Sequence, residues 1–120
     1  MKTYSFEKLN VWHLSRTLVK EIYSSTKSFP KDELFGLTSQ IKRAVVSVSS
    51  NITEGTARIS KKEKARFSEM AFGSLIKILS QLLVAQDLGY LSESEIKRIR
   101  PLIDELANKI NMLRKSQLRE

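Results

Sequence analysis

Apolar residues recur at spacings of three and four in four separate stretches of this chain, and each stretch predicts one amphipathic helix. In the first, about residues 8–28, Val11, Leu14, Leu18 and Ile22 form the stripe, with Trp12, Val19 and Tyr23 on its flank. Phe29-Pro30 ends it, because the residue before a proline is pushed out of the α region. The second, about 38–54, carries Leu37, Ile41, Ala44, Val45, Val48 and Ile52, with Thr38 as predicted N-cap and Gly55 as predicted stop. The third, about 61–88, opens on the capping box Ser60-Lys61-Lys62-Glu63 and closes on Gly89 as a left-handed C′ residue. The fourth, about 93–117, opens on a second box, Ser92 to Glu95, and its Ile99, Ile103, Leu106, Ile110 and Leu113 alternate steps of four and three. The pattern therefore predicts an all-α fold, an antiparallel up-down four-helix bundle, as a single domain over residues 1–120. Pro101 stands well inside the fourth helix, where it removes a donor and crowds a carbonyl, so a kink is expected near Lys97 to Arg100.

Two helices carry more than a core stripe. On the third, Phe67, Ala71, Ser74, Ile78, Leu82 and Ala85 form one apolar row, while Phe72, Leu75, Ile76, Leu79 and Leu83 form another. One bundle core covers only one side of a helix, so the second row predicts a homo-oligomer interface. On the second, Gln40, Arg43, Ser47, Asn51 and Glu54 fall three or four apart, about a quarter turn from the core stripe. An amide, a guanidinium, a hydroxyl, a second amide and a carboxylate in one row suit a hydrogen-bonded polar network between helices or subunits. Ala44, Ser47, Ala71, Gly73 and Ser74 are small, which predicts a close approach of the second and third helices.

Composition removes most chemistry from consideration. The absence of cysteine excludes disulfides and thiolate sites, and one histidine, His13, has no partner at metal-ligand spacing. Asp104 and Glu105 are adjacent and diverge on a helix, while Glu93 and Glu95 suit the first turn of one. Ser47, Ser49 and Ser50 lack any nucleophile motif, and the four glycines are isolated. The expectation is a protein with no catalytic residues, no metal and no cofactor. The N-terminus has no apolar leader and no stretch reads as a membrane span, so a cytoplasmic location is expected.

Charge adds a candidate partner. The chain holds 21 Lys and Arg against 13 Asp and Glu, a net +8, which biases it toward polyanions. The densest basic run follows Gly55: Arg58, Lys61, Lys62, Lys64 and Arg66, interrupted by Glu63. With Lys42 and Arg43 on the preceding helix, it is read as one continuous basic surface that contacts nucleic-acid phosphates. No aromatic residue interleaves the run, so stacking on single-strand bases is not expected.

Together, Phe6, Leu9, Trp12, Phe29-Pro30, Gly36-Leu37, the segment Gln40, Arg43, Ser47, Asn51-Ile52 and Glu54-Gly55, then Ala71, Ser74-Leu75 and Leu88 to Leu91 resemble the four-helix-bundle proteins of the 23S ribosomal-RNA intervening-sequence family. The likeness covers nearly the whole chain, and QxxRxxxSxxxNIxEG is its most specific part. It implies an up-down bundle assembled as a ring-like homopentamer. The family is also similar to the accessory variability determinant of diversity-generating retroelements, which implies a nucleic-acid accessory role, with a reverse transcriptase or other nucleic-acid enzyme as protein partner. A protein-interaction scaffold is the alternative to direct nucleic-acid binding. Pro101 is not part of the family pattern.

Overall fold

In a computed structural model, which describes residues 1–119, four helices form an up-down bundle 45 Å long: α1 Asn10–Ser25, α2 Leu37–Thr56, α3 Lys61–Asp87 and α4 Glu93–Arg119. No strand occurs among the described residues. A short 3₁₀ turn, Ser5–Lys8, precedes α1, and two more, Thr26–Ser28 and Lys31–Glu33, bridge α1 to α2. The sequence reading joins these first pieces into one helix from about residue 8 to 28; the structure tightens both ends into 3₁₀ geometry.

The predicted stripes meet in one core. Leu18 and Ile22 of α1, Ile41, Val45 and Val48 of α2, Leu75 and Ile78 of α3, and Leu106 and Ile110 of α4 are all fully buried. Each contributes roughly 1.5–3 kcal/mol of apolar burial, and cutting one to alanine costs about 2–5 kcal/mol. Leu75 therefore belongs to the core and not to an outer interface. Phe72 and Leu79 are likewise packed against the core. Of the five predicted interface residues only Ile76 and Leu83 face outward, beside Met70 and Val84.

Helix ends follow local chemistry. At Ser60 the Glu63 N–H donates to Ser60 Oγ (3.1 Å), while the Glu63 carboxylate lies against Arg66. At Ser92 the box is complete, with Glu95 N–H donating to Ser92 Oγ and Ser92 N–H to Glu95 Oε1, both at 3.2 Å. Gly89 has φ +80°, its N–H donates to Gln86 O, and Tyr90 N–H reaches back to Ala85 O (2.9 Å), the Schellman pattern.

Two predicted ends of α2 are different. Thr38 is buried within the first turn; the helix begins at Leu37, whose N–H donates to Glu33 Oε1 (3.1 Å). Glu33 also accepts from the Tyr90 hydroxyl (2.9 Å), tying the α1–α2 connection to the α3–α4 turn. That bond above all, then burial and the charges of Glu33 and Asp32, holds the phenol above its ordinary range. Gly55 does not stop α2, which runs through it to Thr56. Its missing side chain lets α3 come close instead: a Cβ there would lie 3.2 Å from Phe67 Cβ and 3.3 Å from Lys64 O. Gly73, predicted at a close approach, would meet nothing within 4 Å.

α4 passes through Pro101 unbroken. Pro101 and Lys97, whose carbonyl loses its donor, are both exposed, so water can take the orphaned group. α3 is long and apolar enough to cross a membrane by length and composition, contrary to the sequence reading. Within the bundle its core side is occupied by α2 and α4, and its buried Ser68 and Gln81 bond to Gln117 of α4 and Gln40 of α2.

Candidate nucleic-acid interface

The up-down order places the start of α1, the α2–α3 turn and the end of α4 at one pole. Contacts confirm this grouping. Gly55 lies against Phe67, the Ser68 hydroxyl donates to Gln117 Oε1 (2.6 Å), and Leu9, Asn10 and Val11 share a groove with Lys115, Ser116 and Arg119.

Arg58, Lys61, Lys62, Lys64 and Arg66 all sit at this pole, between the end of α2 and the first turns of α3. Arg58 lies 4.6 Å from the centroid of the Phe67 ring and 3.8 Å from Glu54, so its guanidinium is anchored on the end of α2. Arg66 is 3.5 Å from Glu63 and 6.0 Å from the same ring. Lys61 and Lys62 are exposed on the first turn, where the helix dipole adds positive potential.

Lys42 and Arg43 are not part of this surface. Thr56 lies fourteen residues beyond Lys42 on the same helix, roughly 21 Å along its axis, well past a Debye length of about 8 Å. Lys42 instead sits 4.8 Å over the Tyr23 ring, beside an open groove lined by Leu34, Phe35 and Val46. Arg43 Nη2 donates to Ser39 Oγ (3.3 Å). The predicted continuous basic surface is thus two separate ones.

Distance along the sequence also hid four cations that the bundle brings to the pole, Lys109, Arg114, Lys115 and Arg119 on α4. The signal was available: an even number of antiparallel helices returns the last one to the level of the second turn. Dividing every helix at its midpoint, residues 1–17, 47–74 and 106–119 hold twelve Lys and Arg against four Asp and Glu. The other half of the bundle holds nine against eight, so nearly all of the excess charge lies at one end.

The polar row of α2 divides into separate pairs. Asn51 Nδ2 donates to Ser47 O (2.9 Å) and Ser47 Oγ (3.0 Å), and Ser47 Oγ is 3.0 Å from Ser74 Oγ on α3. Gln40 Oε1 accepts from Gln81 (3.4 Å), while Glu54 pairs with Arg58. Arg43, Asn51 and Glu54 do not converge. The row borders an open α2–α3 groove, with Ser74 and Lys77 opposite Gln40, Arg43 and Ser47. No group of three or more His, Asp or Glu able to hold a metal occurs among the described residues. His13 Nε2 sits 2.7 Å from Glu7 O, which fixes the N-terminal turn on α1.

Comparison with known families gives a match over residues 7–112 to the model of the family described as 23S rRNA-intervening sequence protein. No curated protein matches the chain.

Proposed function

Because the chain belongs to the 23S rRNA-intervening sequence protein family, we propose that it is a non-enzymatic, homo-oligomeric cytoplasmic module whose basic pole binds nucleic acid through its phosphates. The observation that carries this reading is the placement of charge: twelve cations against four acids at one end, near balance at the other. A polyanion gains most at such an end, because each neutralised phosphate releases condensed counterions. Duplex or structured nucleic acid fits better than a single strand, since no aromatic residue interleaves the run from Arg58 to Arg66.

The residues proposed to contact phosphate are Arg58, Lys61, Lys62, Lys64 and Arg66. With about five contacts per subunit, log K should fall with log salt at a slope near −4.5. Fluorescence anisotropy with a labelled duplex, titrated in salt, tests this, and replacing Arg58, Lys61 and Lys62 by Gln should flatten the slope by about 2.7. No binding by the parent protein at low salt refutes the proposal.

A second reading, a scaffold or accessory subunit for a reverse transcriptase or other nucleic-acid enzyme, draws on the resemblance to retroelement accessory determinants. The observation on its side is Phe35, 92% exposed beside Leu34, Lys42 and Arg43, an apolar surface that phosphates do not need. It predicts that the enzyme is still captured after nuclease treatment, and that Phe35→Ala, not the Gln triple, abolishes that capture.

A further inference from the structure

Lys109, Lys115 and Arg119 line a groove between the start of α1 and the end of α4, together with Asn10, Met112 and Leu113. Its volume is about 460 Å³ and it is open along its length. Among the described residues no carboxylate lines it, and none of the three cations has an ion-pair partner. The neighbouring groove, between α3 and the end of α4, is different. Glu63 and Glu69 line it, and they already engage Arg66 and Arg114.

Three cations along one groove, with no ion-pair partner among the described residues, form a positive field that a strand of phosphates would neutralise. From Lys109 to Arg119 is ten residues, about 15 Å of helix axis, the span of roughly four successive phosphates at 3.4 Å each. The other described lining residues are neutral, and among them Asn10 and Ser116 can add donors to a phosphate beside the cations.

We propose that the α1–α4 groove is a second phosphate seat, in which Lys109, Lys115 and Arg119 hold one strand of the nucleic acid whose other contacts are made by the α2–α3 turn. This rests on the nucleic-acid reading above. It extends the contact surface across the pole to α4, leaves Lys42 and Arg43 outside it, and assigns α4 a binding role that the sequence run after Gly55 does not carry.

The test compares two triple variants of equal charge change in the same salt titration, on a duplex RNA and a duplex DNA. With the three groove contacts added to the five of the α2–α3 turn, the parent slope becomes about −7.2, and K109Q/K115Q/R119Q should flatten it by about 2.7, at 0.9 per lost contact. K27Q/K31Q/R100Q, exposed at the other pole, should leave it within about 0.5 of the parent, since only direct neutralisation enters the slope. The charge-keeping variant K109R/K115R/R119K should retain the parent slope, which separates lost contacts from lost folding. Flattening on either duplex supports the seat and says which form it holds. Parent binding with equal slopes for the two Gln triples overturns the seat alone, whereas a parent that binds neither duplex overturns the nucleic-acid reading with it.

Discussion

Gly55 and Gly73 look alike in the sequence, each an isolated glycine in or at the end of a helical pattern, yet their packing is opposite. At Gly55 an added methyl meets Phe67 Cβ at 3.2 Å and the Lys64 carbonyl at 3.3 Å, both fixed to the first turns of α3. Neither is the tip of a flexible side chain, so α3 must shift as a body. Overpacking of about 1–3 kcal/mol then exceeds the helix-propensity gain of about 1 kcal/mol, and Gly55→Ala is expected to destabilise by about 1 kcal/mol. Gly73 has no neighbour, so Gly73→Ala should stabilise by about 0.5–1 kcal/mol. Urea unfolding of both variants reads the two signs, and a Gly55→Ala protein as stable as the parent would contradict the packing argument. The reason is physical: whether a glycine stops a helix or admits a neighbour depends on what lies opposite, which no local pattern encodes. The polar row shows the same limit. Its spacing on α2 was legible, but Ser74, the partner that completes the Ser47 and Asn51 pair, is 27 residues away from Ser47.

At the level of elements, ends written in adjacent residues were legible and ends set by distant groups were not. The Ser92 box and the Gly89 Schellman turn need only their own neighbours, and they form as the sequence indicates. The start of α2 depends on Glu33, itself held by Tyr90 from the far side of the bundle, so Thr38 misleads. Pro101 marks where local cost is outweighed by tertiary packing. Ile99, Ile103 and Leu106 are buried on either side of it, and this burial holds the helix together across the proline. The ring itself is exposed and gains nothing from the core. Pro101→Ala should therefore recover most of the roughly 3 kcal/mol that an interior proline costs, less about 1 kcal/mol for the freer unfolded chain. A net gain of about 2 kcal/mol is expected, seen as a higher urea midpoint with unchanged slope; a loss of stability would mean that the ring is bound by something the monomer does not show.

For the whole molecule, the sequence conveyed the amount of charge and of apolar surface, while only the bundle shows how each is distributed. Charge gathers at one pole because the chain reverses three times, and residues more than forty apart in sequence meet there. Apolar surface remains on α3, where Met70, Ile76, Leu83 and Val84 are each 38–45% exposed between the charged ends of the helix. That face lies along the bundle and the basic pole lies at its end, so in the ring that the family resemblance implies, with its axis along the bundles, subunits joined through α3 would present their basic poles together. Assembly and binding are then coupled: linking several phosphate-binding ends raises avidity by about 10²–10⁴ without a new contact. The double variant I76D/L83D places two carboxylates on the face without touching the core. Light scattering should show the parent at a multiple of the 13.8 kDa chain, five by the family resemblance, and the variant at 13.8 kDa with its helical content retained. Its affinity for a long duplex should fall by about 10²–10⁴, whereas on a duplex too short for two subunits it should match the parent. A parent of 13.8 kDa would remove the assembly, and an undiminished affinity of the monomeric variant for long duplex would show that the poles act singly.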